Sequence, residues 1–177
     1  MIPELANIED PIARRKIGRY LDCLDEWAGT INLTAARSRR EAFETLVHPI
    51  LGGERYLTAD VIDIGSGNGS PALVLASLRP DCRFTLLEPR AKRWAFLRQA
   101  IREMEIENAT VRRERSDEYR GAAGTTATMR AVGLNPEALR PLLESGGQVL
   151  VFGGPALPGA EHMTLPSGSS LQRVCFT

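Results

Sequence analysis

Aromatic side chains are scarce in this sequence: five phenylalanines, three tyrosines and two tryptophans make up 6% of 177 residues. Metal and redox chemistry are equally short of material. There are two histidines, His48 and His162, and three cysteines, Cys23, Cys82 and Cys175, with no CxxC pair. Cysteines this far apart offer neither a zinc knuckle nor a redox couple, so no metal is expected and the thiols are expected to be free, in a reducing compartment. Charge of one sign is missing too: 22 basic residues balance 22 acidic ones. No global field draws the molecule toward a polyanion, and any nucleic-acid contact needs a local patch. No apolar run approaches the roughly 18 residues of a membrane span. The opening stretch MIPELANIEDPIARRK lacks the apolar segment of a secretory leader. A soluble, cytoplasmic monomer without a membrane partner is expected.

What is present is ordinary for a folded domain: 43% hydrophobic and 25% charged residues, at a length that suits one core over 1–177. From Pro11 to Ala28, residues Ile12, Ile17, Leu21, Leu24 and Trp27 recur at mixed spacings between basic residues, which predicts an amphipathic helix ending near Gly29. A second short helix is expected from Ser38 to Val47, where Ser38 and Glu41 form a capping-box pattern, closed by His48-Pro49. Residues 1–53 thus read as a helical extension.

Beyond the loop at Gly52-Gly53 the pattern alternates between strand and helix. Val61–Ile64, Arg83–Leu87, Ala109–Val111, Thr125–Met129 and Gln148–Phe152 read as strands. Helices are expected over Pro71–Leu78, over Arg90–Met104 with Trp94, Leu97 and Ile101 on one side, and from Asn135 to Leu143. No helix is evident between Arg115 and Gly124. His162–Leu165 and Leu171–Phe176, parted by Pro166-Ser167-Gly168-Ser169, read as a hairpin. This order implies an α/β fold with crossover connections: a mainly parallel seven-stranded sheet, helices on both faces, and an antiparallel C-terminal hairpin.

The chemistry is concentrated where the first strand runs into Asp63-Ile64-Gly65-Ser66-Gly67-Asn68-Gly69. Alternating glycines let a backbone turn sharply and approach a ligand closely. At the carboxyl end of the first strand of an open sheet, such a turn is where cofactors bind. The position three after Gly67 is Ser70, so the dinucleotide pattern GxGxxG is not met. What stands is (D/E)xGxGxG, the form associated with S-adenosylmethionine. Glu88 ends the second strand, where a carboxylate can accept bonds from both ribose hydroxyls; capping the following helix is its simpler role. Asp63 either ties down the glycine loop or reaches the amino group of a cofactor through water. The loop after the third strand, with Ser116 and Asp117, is the expected place for contacts to an adenine ring. Arg130, ending the fourth strand, faces the same cleft or makes a surface ion pair.

From Asn32 onward the chain resembles the RsmG (GidB) family of ribosomal RNA guanine-N7 methyltransferases. The resemblance rests on Asn32-Leu33-Thr34, Ile62 to Pro71, Leu75-Ala76, Arg79-Pro80 and Leu86-Leu87-Glu88. It continues through Lys92-Arg93, Phe96-Leu97, Glu107-Asn108, Arg115 to Glu118, Arg130-Ala131, Pro141-Leu142-Leu143 and Gly146-Gly147. It implies a Rossmann-like methyltransferase fold with two N-terminal helices, and S-adenosyl-L-methionine held at Gly65, Ser70, Ser116, Asp117 and Arg130. Asp63, Gly67, Gly69 and Glu88 complete the cofactor set read from the motif. The implied acceptor is 16S rRNA or the small ribosomal subunit, with Lys92, Arg93 and Arg130 as contacts.

Three departures bear on the acceptor. His48-Pro49-Ile50-Leu51-Gly52 stands where the family has His-Phe-Leu-Asp-Ser, Gly153-Gly154 replaces Lys-Gly, and Met129 occupies a common serine position. Transfer to guanine N7 needs no general base, because the lone pair is free, and no catalytic acid or base is assigned. No Asn/Asp-Pro-Pro-aromatic motif is present, as Asn135-Pro136-Glu137-Ala138 lacks its second half. RNA contact would fall to Arg14, Arg15, Lys16 and Arg19, to Arg37, Arg39 and Arg40, or to Arg90, Lys92 and Arg93, unless these are solvated helix faces. Two other readings stay open: a small-molecule or protein acceptor, and a non-catalytic cofactor-binding ribosome-assembly factor.

Overall fold

In the computed structural model, residues 3–176 are described. Seven strands form one sheet in the order β3-β2-β1-β4-β5-β7-β6. They are β1 (Asp60–Ile64), β2 (Arg83–Leu87), β3 (Ala109–Arg112), β4 (Gly124–Arg130), β5 (Leu143–Phe152), β6 (Glu161–Thr164) and β7 (Ser170–Cys175). The first five are parallel, and β7 runs antiparallel to both β5 and β6. The strand order reverses between β1 and β4, so their carboxyl ends open a crevice. In register, Asp63 lies between Leu86 of β2 and Thr128 of β4.

The helices are α1 (Pro11–Trp27), α2 (Arg39–Ala42), α3 (Ala72–Leu78) and α4 (Ala91–Glu103). All four contribute to one hydrophobic cluster, with Val61, Phe84, Leu86, Leu150 and Phe152 from the sheet face beneath. Among the described residues the other face carries no α-helix. Its smaller cluster joins Ile62, Ile64, Leu87, Ala127, Met129, Val149 and Val151 to Tyr119, Leu139, Leu142 and Phe176. The expectation of α-helices on both faces is therefore corrected. The segment from Asn135 forms a 3₁₀ turn, Pro136–Leu142, because Pro141 within it supplies no N–H for an α-helical bond. Asn135 does cap it, accepting from Glu137 N at 3.1 Å.

Several boundaries move for physical reasons. β5 starts at Leu143, earlier than the apolar run Gln148–Phe152, since polar Glu144-Ser145 and Gly146 (φ +80°) pair irregularly with β4. The helix expected to Val47 is α-helical only to Ala42, then winds as a π turn over Phe43–Val47 and a 3₁₀ turn over His48–Ile50. Ser38 caps α2 as expected, while Glu41 reaches back to Arg37 N at 2.8 Å. In α1, Ile12 is 55% exposed and Tyr20 fully buried. Five residues at about 100° each put Ile12 roughly 140° round the helix from Ile17, off the buried stripe that Tyr20 joins. Trp94 belongs to neither cluster, whereas Phe96, Leu97 and Ala100 are the buried residues of α4.

The N-terminal segment is tied to the site. α1 packs on α3 and α4, the Tyr20 hydroxyl donates to Asn68 O at 2.9 Å, and Asn68 Nδ2 donates to Leu33 O at 3.0 Å. No helix among the described residues is long and apolar enough to cross a membrane.

Candidate active site

At the end of β1 the backbone enters a left-handed turn at alternate residues: φ is +63° at Gly65, +53° at Gly67 and +92° at Gly69. An L side chain in that conformation costs about 1–2 kcal/mol. Space closes the matter at Gly69, where a Cβ would stand 2.6 Å from Leu73 Cδ1, and tightens it at Gly65, 3.2 Å from Val132 Cγ2. The loop is pinned by Ser66 N donating to Leu87 O (3.1 Å) and Gly69 N to Ser66 O (2.7 Å).

Two buried carboxylates stand behind this loop. Glu88 is 3% exposed; Oε2 accepts from Gly67 N at 2.9 Å and Oε1 from Arg90 N at 2.8 Å. It therefore ties the glycine turn and the start of α4 together. Each carboxylate oxygen accepts more than one bond, so lone pairs remain for a further hydroxyl. Asp63 is 1% exposed, with Oδ1 accepting from Thr128 Oγ1 at 2.6 Å and Oδ2 buried without a partner among the described residues. Burial pushes its carboxyl up to about 7; the hydroxyls of Ser66 and Thr128 pull it back in part, and the charge of Glu88 pushes the same way as burial.

The crevice has two lobes. A cavity of about 420 Å³ is lined by Ile64, Gly65, Leu87, Pro89, Glu114, Arg115, Ser116, Asp117 and, across from them, Val132, Gly133, Leu134, Ala138 and Leu139. A second, of about 270 Å³, is lined by Leu33, Leu46, Gly65, Ser66, Gly67, Asn68, Ser70, Arg93, Arg130, Ala131 and Val132. The two meet at Gly65 and Val132. The larger lobe is an apolar slot with polar groups at its β3 side; the smaller is polar and floored by the glycine turn. A roomier cavity of about 510 Å³, lined by Ile8, His48, Glu54, Arg55 and Pro166 among others, shares no residue with either lobe.

Most of the residues expected from sequence come together here. Gly65, Gly67 and Ser70 line the smaller lobe, and Ser116 and Asp117 the larger one. Asp117 also accepts from Arg115 Nε at 3.2 Å. Asp63, Gly69 and Glu88 stand behind the lining. Arg130 does line the smaller lobe, but it makes no carboxylate ion pair among the described residues. Its Nη1 donates to Ser70 Oγ at 2.7 Å and its Nη2 to Thr45 O, and Ser70 Oγ donates to Leu46 O at 2.6 Å. Burial holds the guanidinium below its ordinary value, opposed by Tyr20. Arg93 lines the smaller lobe, while Lys92 is exposed and lines neither.

The other basic clusters are largely engaged elsewhere. Arg14 folds back onto Ile8 O, Arg15 and Arg19 meet Glu105, and Arg39 meets Asp22 and Gly18 O. The structure adds residues the motifs did not point to: Tyr20, Thr128, Val132 and Leu139. Thr128 was legible only through its register opposite Asp63, and Tyr20 through its place on the Ile17–Leu24 stripe. Among the described residues no group of three or more His, Cys, Asp or Glu side chains could hold a metal ion.

Comparison with known proteins places this geometry. The model of the GidB family, rRNA small subunit methyltransferase G, matches residues 13–159. Ribosomal RNA small subunit methyltransferase G of Xanthomonas euvesicatoria pv. vesicatoria is 34% identical over 164 residues, covering 88% of this chain and 76% of that protein. The protein of the same name from Coxiella burnetii is 36% identical over 140 residues, covering 76% and 69%. Among solved structures, an RNA methyltransferase from Salinibacter ruber in complex with S-adenosyl-L-homocysteine shares the fold, with a TM-score of 0.51 at 22% identity over 67% of this chain and 80% of that one. This chain is therefore a member of the GidB family, rRNA small subunit methyltransferase G.

Proposed function

We propose that this protein is an S-adenosylmethionine-dependent methyltransferase acting on guanine N7 in 16S rRNA of the small ribosomal subunit. The observation that carries the reading is the two-lobed crevice folded around the left-handed glycine turn. An adenine ring fits the apolar slot between Leu87 and Leu139, with Ser116 and Asp117 at its polar edge. A zwitterionic tail fits the polar lobe over Gly65–Gly67, and the unpartnered Oδ2 of Asp63 leaves acceptor capacity behind the turn. A side chain at Gly65 would press on Val132 where the lobes join, which explains why that position holds no Cβ.

When bound, the cofactor supplies a methyl group on a positively charged sulfur, electrophilic enough to be taken by a ring nitrogen lone pair. The chain's residues then have to bind, orient and exclude water rather than move a proton. Glu88 holds the Gly67 N–H and the start of α4, and so fixes the crevice floor. Arg130, through Ser70 and Thr45, clamps the N-terminal segment against the turn, and Tyr20 and Asn68 clamp its other side. Arg93 at the mouth of the smaller lobe, with Lys92 beside it, presents positive charge to a phosphate backbone. No acid or base is assigned to the transfer. On this proposal residues 1–177 act as one methyltransferase domain with 1–53 as its extension, in a cytoplasmic monomer.

The test is to incubate small ribosomal subunits from a strain lacking the corresponding enzyme with radiolabelled S-adenosylmethionine and this protein. Label recovered in 7-methylguanine of 16S rRNA supports the proposal. Cofactor binding by calorimetry with no label entering RNA overturns the acceptor assignment.

A further inference from the structure

The surface of α4 beside the crevice has a composition that the cofactor site does not use. From 89 to 102 the sequence places Arg90, Lys92, Arg93, Arg98 and Arg102 with no acidic residue, in a chain whose charges balance overall. Arg90, Lys92, Arg93 and Arg98 form no ion pair among the described residues, unlike Arg102, which pairs with Glu103 at 2.8 Å. Trp94 rises from the middle of this strip. It is half-buried and packs against neither hydrophobic cluster. Trp27, by contrast, is anchored edge-on to Phe96 at 5.8 Å. The Arg98 guanidinium lies 4.8 Å from the centre of the Trp94 ring, one helical turn on. Arg113, exposed just beyond β3, extends the cationic surface; the neighbouring Arg112 O accepts from Glu88 N at 3.1 Å, next to the start of α4.

A solvated helix face accounts for isolated cations but not for a large aromatic ring left outside the core with a guanidinium stacked on it. A cationic groove with an aromatic platform is the arrangement that holds unpaired nucleotides, because every base has a face to stack and every linkage a phosphate to neutralise. A double helix offers no open base face, and proteins read it through its shape and backbone. Trp94 follows Arg93, which lines the smaller lobe, so a strand delivering its acceptor base to that lobe passes over α4.

We propose that this face of α4 binds single-stranded RNA flanking the acceptor nucleotide, with one base stacked on Trp94 and its phosphates on Arg90, Lys92, Arg98 and Arg113. This rests on the RNA-acceptor reading and adds to it the strandedness of the substrate and a base-stacking residue.

The test uses the full chain with a fluorescein-labelled oligoribonucleotide of about 12 nucleotides, single-stranded or annealed to its complement, followed by anisotropy. Trp94→Leu is expected to weaken single-strand binding about tenfold. Arg98→Gln is expected to lower the slope of log affinity against log salt by about one. S-adenosylhomocysteine affinity, measured by calorimetry, should be unchanged in both variants, which checks that they are folded. Methylation of small subunits by Trp94→Leu at a wild-type rate, with wild-type single-strand binding, overturns this proposal and leaves the acceptor reading standing. Equal or tighter binding of the duplex overturns it likewise. A wild-type protein that neither binds the oligonucleotide nor methylates small subunits overturns both.

Discussion

Replacing Asp63 with asparagine should flatten the dependence of stability on pH. In the folded protein this carboxyl is sealed beneath the glycine turn and its affinity for a proton is raised to about 7 from an ordinary 3.8. Because the folded state keeps a proton that the unfolded chain releases, stability falls as pH climbs from about 4 to about 7, then levels off. Roughly three units at about 1.4 kcal/mol each give a loss of about 4 kcal/mol across that window. Asparagine accepts from Thr128 as the carboxylate does, and has no charge to desolvate. Its amide nitrogen would occupy the place of the partnerless Oδ2, at a constant cost of about 1–3 kcal/mol at every pH. The comparison is between slopes: urea unfolding of both proteins at intervals from pH 4 to pH 8, plotting the difference in unfolding free energy. The wild type is expected to lose stability relative to the variant up to about pH 7 and to run parallel above it. Parallel curves through the whole range would refute the reasoning, since they would mean that Asp63 is solvated or ionised in the folded protein.

Gly69→Ala places a Cβ 2.6 Å from Leu73 Cδ1 at a φ of +92°, and should destabilise by about 2 kcal/mol or more, read as a lower melting temperature. Tyr20→Phe leaves Asn68 O without its 2.9 Å donor; a loss of about 1 kcal/mol is expected in chemical unfolding, together with weaker S-adenosylhomocysteine binding by calorimetry, because the smaller lobe loses a restraint. Thr128→Val removes the 2.6 Å hydroxyl donor to Asp63 Oδ1, and the resulting buried carboxyl should cost about 1–3 kcal/mol at pH 8 and less at pH 5, where the group is protonated.

Much of the sheet was legible because parallel strands buried on both faces are written as short apolar runs before turns, and Val61–Ile64 and Gln148–Phe152 read that way. The alternating glycines marked the crevice for a similar local reason: only a left-handed backbone needs them. Contacts that depend on tertiary register were harder to read. Nothing local says that Thr128 lies opposite Asp63, or that Arg130, while lining the cleft, is held there by Ser70 and Thr45. Ile12 and Trp94 misled for a simpler reason, since an apolar residue near a stripe is counted with it until the helix is placed. The second face of the sheet, covered by a 3₁₀ turn and loops where an α-helix was expected, was hard to read because Asn135-Pro136 is a sound helix start and only Pro141 argues against an α-helix.

The central claim is that the crevice around Gly65 seats the cofactor, and a crystal structure of the protein with S-adenosylhomocysteine tests it most directly. The account predicts the adenine between Leu87 and Leu139, the ribose on the Glu88 side of the glycine turn, and the amino-acid tail in the lobe bordered by Arg93 and Arg130. A ligand lodged instead in the separate cavity between Ile8, His48 and Pro166, with the two lobes closed by side chains, would contradict it.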